Sequence, residues 1–156
     1  SLPTERQAQD QLRRLVRDLE QLPRKVEGFG LIHSDLHFWN FSVGPKGLTL
    51  FDFDNSEYHW FIADLGTIIF EAATCFYQQL PRKKFICDFI QEFTAGYRET
   101  NDIDLPLELL PQFIKLREAC IYLILTRRWA GKDLSEFQRN FYASMETSVL
   151  TGEPFF

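Results

Sequence analysis

The sequence predicts a mainly helical α+β fold: one helix, a small β element, then four helices. Three observations predict it. Apolar residues recur at three- and four-residue spacing near the N-terminus, a short β-like stretch with a Gly-Pro-Lys-Gly turn follows, and the period returns to about 3.6 after residue 60. The 156 residues have the size of one domain spanning 1–156, long enough to bury a single core.

Thr4 with Gln7 forms a capping-box pattern, and Ala8, Leu12, Leu15, Val16 and Leu19 then make one apolar stripe that ends at Leu22-Pro23. Gly28 and Gly30 lead into the short run Leu31-Ile32 before His33. Phe41 to Val43 reads as a strand, Gly44 to Gly47 as a turn, and Leu48 to Phe53 as the returning strand. Ile62, Leu65, Ile68, Ile69, Ala72, Ala73 and Phe76 share one helical face. Phe85, Ile86, Phe89, Ile90, Phe93 and Tyr97 share a second, after a break at Pro81. Leu109, Phe113, Leu116, Cys120, Leu123 and Ile124 share a third. Thr100 to Pro106 is a loop. Asp133 with Glu136 repeats the capping pattern ahead of a last helix with Phe137, Phe141, Met145 and Val149 inward.

Composition narrows the function classes. Hydrophobic residues make up 45% and charged residues 25%, as in an ordinary soluble globule. A net charge of −5 disfavours nonspecific binding to nucleic acid or to an anionic membrane, and fits a cationic substrate as it fits many other ligands. Cys75, Cys87 and Cys120 are widely spaced among apolar residues, so buried free thiols in a reducing compartment are expected, with no C-x-x-C pair for structural zinc. No signal or spanning segment is evident, and a cytoplasmic location follows as the expectation. The 16 Phe, where not covered, favour either a homodimer or poor solubility.

The β element carries the chemistry: His33-Ser34-Asp35-Leu36-His37-Phe38-Trp39-Asn40, then Leu50-Phe51-Asp52-Phe53-Asp54. An Asp, an Asn five positions on, a hairpin and a second Asp after an apolar strand is the layout of a phosphoryl-transfer site. Such a site needs one carboxylate at the acceptor hydroxyl. It needs a neutral amide that ligates a metal without adding charge, and a second carboxylate that holds Mg²⁺ against the nucleotide phosphates. Asp52, flanked by Phe51 and Phe53, would be costly to bury unpaired, which also favours a metal.

These residues, with Ala63-Asp64-Leu65-Gly66, resemble the motif set of the aminoglycoside phosphotransferases, choline kinases and related small-molecule kinases, over roughly residues 30 to 70. The resemblance implies the C-terminal lobe of a protein-kinase-like fold, with ATP as co-substrate, Mg²⁺ as cofactor and a small-molecule hydroxyl as acceptor. It implies Asp35 as catalytic base, Asn40 and Asp52 as Mg²⁺ ligands, Asp64 as a brace for the catalytic loop, and His33 as a loop-shaping residue. The family usually has Gly at the positions of Ser34 and Trp39. If either adopts positive φ, the loop is strained or reshaped.

Asp54 and Glu57 either line the acceptor pocket or are solvated loop carboxylates. Trp60, like Trp39 and Tyr58, either contacts substrate or packs the loop onto the helices. His37 and His59 read as surface or pocket-edge residues, and the helix dipole accounts for Arg127-Arg128. No phosphate-gripping Gly loop and no strand Lys is found; Gly28-Phe29-Gly30 is a turn. An N-terminal nucleotide-binding lobe is therefore expected to be missing, as a partner without which the chain is inactive. Two alternatives stand beside this reading. One is a non-catalytic kinase-like scaffold; the other is a metallohydrolase using the alternating His33, Asp35 and His37 with Asp52 and Asp54.

Overall fold

Helix α2 shows how the pattern becomes structure. Over Ile62–Cys75 it buries Ile62, Leu65, Ile68, Ile69, Phe70, Ala72 and Ala73, so its apolar face is broad and almost wholly covered. The computed structural model describes residues 3–25, 27–75 and 82–152. In chain order these form α1 (Pro3–Glu20), β1 (Phe29–Ile32), β2 (Phe41–Gly44), β3 (Gly47–Leu50), β4 (Glu57–Trp60), α2, α3 (Arg82–Thr100), a 3₁₀ turn (Leu107–Leu109), α4 (Leu110–Trp129) and α5 (Glu136–Thr151). The expected order of helix, β element and four helices is observed. Phe76 and the break at Pro81 lie outside the described residues.

Two compact units result, one of Pro23–Ile114 and one of Ser1–Leu22 with Lys115–Phe155. The first holds both sheets. β1 pairs antiparallel with β4, Phe29 opposite Trp60 and Ile32 opposite Glu57, and β2 pairs with β3 around the two-residue turn Pro45-Lys46. Gly47 closes that turn at φ +105, which glycine adopts freely. Gly66 sits inside α2, where glycine costs about 1 kcal/mol against alanine. Its reason is close approach: a Cβ there would lie 3.1 Å from Phe113 Cβ and 3.2 Å from the Phe113 carbonyl carbon.

In the second unit α1 packs on α5 around Ala8, Leu19, Phe141, Met145 and Val149. Glu118 is buried here, hydrogen-bonded to Ser148, and burial pushes its carboxyl up to about 7. A carboxyl whose folded pKa exceeds its unfolded value binds more protons when folded. Stability is therefore lost as pH rises from about 4.5 to about 7, by roughly 3 kcal/mol at most. Glu118→Gln should flatten that slope in denaturation curves between pH 4 and 8, and raise stability at pH 8. An unchanged slope would contradict the assignment.

Several local expectations are corrected. α1 already includes Pro3, so Thr4 lies inside the helix and is not its cap. α5 is capped by Ser135, whose side chain accepts from the Gln138 N–H while Gln138 returns a bond to the Ser135 N–H, and not by Asp133 with Glu136. Phe137, then in the first turn, is exposed. β3 stops at Leu50, so Phe51 to Phe53 is loop. The three cysteines are free as expected, yet Cys75 and Cys87 are exposed and Cys120 is half-buried. Among the described residues no helix is long and apolar enough to cross a membrane.

Candidate active site

The site begins where β1 ends. After Ile32 the chain turns sharply, with Ser34 at φ +66. Two successive backbone N–H groups at this turn share one acceptor: His33 N–H donates to Asp64 Oδ2 at 2.9 Å and Ser34 N–H to Asp64 Oδ1 at 2.8 Å. Asp64 stands in the first turn of α2, where the helix dipole favours a carboxylate. The family's glycine position is thus a strained one in this chain, whereas Trp39, the other departure, is not at positive φ. Ser34 Oγ donates to Glu57 Oε1 at 2.6 Å, an exposed contact that offsets little of the strain. Ser34→Gly should raise stability by about 1 kcal/mol in urea denaturation. A loss of that size would mean that the Glu57 contact outweighs the backbone.

His33 is buried and both its ring nitrogens are engaged. Nε2 donates to the Phe51 carbonyl at 3.0 Å, and Nδ1 accepts from the Asp35 N–H at 3.4 Å. Those partners fix the tautomer with its proton on Nε2. The ring packs on Phe53 at 4.6 Å between centroids. Its place is that of a loop-shaping residue, and neither nitrogen faces outward as a metal ligand would.

Asn40 ties the pieces together. It is buried, its Nδ2 donates to the Asp35 carbonyl at 3.0 Å, its N–H donates to the His37 carbonyl at 2.9 Å, and its own carbonyl accepts from the Phe51 N–H at 3.0 Å. The loop carrying Asp35 is thereby bonded to the residue preceding Asp52. Asp52 itself is at φ +64 and exposed, between exposed Phe51 and Phe53. The expected cost of a carboxylate buried in an apolar run therefore does not arise. What constrains Asp52 is backbone strain.

The Asp35 side chain is 26% exposed. Asn55 Nδ2 lies 3.4 Å from its Oδ2, and His37 Nε2 lies 3.7 Å from the same oxygen. Nothing in the sequence marks Asn55, because a polar residue in an Asp-Asn-Ser loop carries no pattern. Asp54 is exposed on the same loop, and Glu57 is held at Ser34. Trp60, a candidate substrate contact, is instead a core residue. It is 8% exposed, donates from Nε1 to the Pro23 carbonyl at 3.2 Å, and packs edge-on against Phe29 at 5.1 Å with Arg24 over its ring. His59 packs between Trp60 and Phe113, and burial lowers its pKa. Trp39 and Tyr58 are exposed. Among the described residues no three His, Cys, Asp or Glu side chains are grouped to hold a metal.

The chain resembles known proteins along most of its length. Residues 1–103 match the model of the phosphotransferase enzyme family. An amicoumacin kinase of Bacillus subtilis (strain 168) is 30% identical over 144 residues, which cover 90% of this chain and 42% of that kinase. An amicoumacin kinase solved in complex with AMP-PNP, Ca²⁺ and Ami superimposes with a TM-score of 0.85 at 27% identity, over 99% of this chain and 47% of its own. A microcompartment-associated aminopropanol kinase gives a TM-score of 0.58 at 26% identity, over 98% of this chain and 46% of its own. The chain therefore spans slightly under half the length of these relatives. With its kinase-like fold and its loop of Asp35, Asn40 and Asp52, it belongs to the phosphotransferase enzyme family.

Proposed function

We propose that this chain is the catalytic-loop lobe of a kinase that transfers the γ-phosphoryl group of ATP to a hydroxyl of a small molecule. The observation that carries the reading is Asn40, bonded through its side chain to Asp35 and through its carbonyl to the residue before Asp52. In this reading Asp35 is the catalytic base: it orients the acceptor hydroxyl and takes its proton as the new P–O bond forms. Asp64 and His33 hold the loop in shape.

The residues present fit a Mg²⁺ ion that keeps waters and phosphate oxygens as most of its ligands. Asn40, with Nδ2 committed to the Asp35 carbonyl, has its neutral Oδ1 for a cation, and Asp52 adds one carboxylate. Such a shell needs no cage of three acidic or imidazole side chains, in keeping with the described residues. When bound, Mg²⁺ neutralises phosphate charge. The Ca²⁺ and AMP-PNP held by the structural relative support divalent-cation and nucleotide use.

Phosphotransfer requires, on this reading, a nucleotide-gripping lobe matching the remaining length of the relatives. The acceptor is a hydroxyl compound of small size, and an amine-bearing one suits the net charge of −5 and the aminopropanol kinase likeness. The metallohydrolase alternative is disfavoured because His33 has both ring nitrogens on backbone groups.

The test is radiolabelled ATP with a panel of amino alcohols and sugars, using a longer protein that carries this sequence and matches the full length of its relatives. Labelled phosphomonoester should form there and not with the 156-residue chain alone. A longer protein that binds neither ATP nor Mg²⁺ would instead favour the scaffold alternative.

A further inference from the structure

Two side chains that the phosphotransfer reading does not use approach the Asp35 carboxylate, and both reach Oδ2. Each is held from behind. The Trp39 N–H donates to His37 Nδ1 at 3.2 Å, which leaves the ring proton on Nε2, the nitrogen facing Asp35. The His37 carbonyl also accepts from the Asn40 N–H, so the residue is fixed at ring and backbone. Asn55 lies in the next loop, after left-handed Asp52 and inside the turn closed by the Ser56 N–H on the Phe53 carbonyl at 3.0 Å. An amide meets a carboxylate oxygen only through its NH₂ group. The two donors thus come from different loops onto one atom.

We propose that His37 and Asn55 are positioning residues that clamp Asp35 Oδ2 and so set the rotation of the carboxylate toward the acceptor hydroxyl. This rests on Asp35 being the base. Neither residue moves a proton; each acts only as a hydrogen-bond donor as the reactive complex forms. At 3.4 Å the Asn55 contact is a long hydrogen bond and at 3.7 Å the His37 contact falls short of one, as catalytic contacts often do before the reactive complex assembles. Rotating a carboxylate displaces its oxygens by about an ångström, and errors of that size cost up to ~10²-fold in rate.

The test uses the longer protein and the acceptor its panel identifies. His37→Phe and Asn55→Ala should each lower kcat about tenfold while leaving KM for ATP and acceptor unchanged. His37→Gln, which returns an N–H near the Nε2 position, should recover most of the loss. In an Asp35→Asn background, neither His37→Phe nor Asn55→Ala should lower the residual rate further. Wild-type kcat in both single variants, with Asp35→Asn inactive, would overturn the clamp and leave the base reading intact. A tenfold loss that persists in the Asp35→Asn background would show a structural role and overturn it as well. If that residual rate is undetectable, equal losses in His37→Phe and His37→Gln overturn it. An Asp35→Asn variant as fast as wild type would sink both.

Discussion

Asp35→Asn in the longer enzyme is expected to lower kcat by about 10³-fold while leaving the melting temperature within about 1 °C. The rate effect follows from the base role: an amide keeps the size of the carboxylate but cannot take the proton of the attacking hydroxyl, and such groups contribute 10²–10⁴-fold. The stability is spared because the loop bonds at this position use the backbone. Its N–H donates to His33 Nδ1 and its carbonyl accepts from Asn40, and both survive the substitution. KM for ATP should stay the same. Turnover reduced less than fivefold would mean that the proton leaves by another route and that Asp35 is not the base.

Asp64→Ala should have the largest effect on stability. The Asp64 carboxylate is the acceptor for two successive backbone N–H groups, and its removal leaves both without their partner in a half-buried place. Unmet donors of this kind cost about 1–3 kcal/mol each, so roughly 2–4 kcal/mol is expected after some rehydration. For a chain of this size that corresponds to a fall in melting temperature of roughly 5–15 °C. Asp64→Asn, with one remaining oxygen acceptor, should lose about half as much. Thermal unfolding followed by circular dichroism measures both. A change below about 0.5 kcal/mol for the alanine variant would show that water replaces the carboxylate without penalty.

The helices were legible because each repeats its apolar signal over several turns. α2 buries every described residue its pattern assigned to the core. The β2–β3 hairpin was legible from its turn. β4 was not, because Glu57–Trp60 is four residues long and its partner, β1, lies across the whole catalytic segment. Local pattern carries no trace of such a pairing. The α5 cap failed for another reason. Asp133 with Glu136 and Ser135 with Gln138 present the same four-residue motif two positions apart, and the chain uses the second. In the site, Asp35, Asn40 and Asp52 stood out because an Asp, an Asn five positions on and a second Asp after a hairpin match the layout of phosphoryl transfer. Trp60 misled because an aromatic beside a motif looks the same whether it faces a ligand or, as here, the core. Asn55 could not be seen, since only three-dimensional proximity gives it a partner.

The β1–β4 ladder has one more consequence. Ile32 and Glu57 sit opposite one another, so the whole stretch between them starts and ends at a single neck, with the Ser34–Glu57 hydrogen bond beside it. Growth at the far end, at Pro45-Lys46, moves neither root of the stretch. Lineages can therefore lengthen or shorten that tip, and with it whatever the tip touches, without re-solving the placement of the residues nearest the neck.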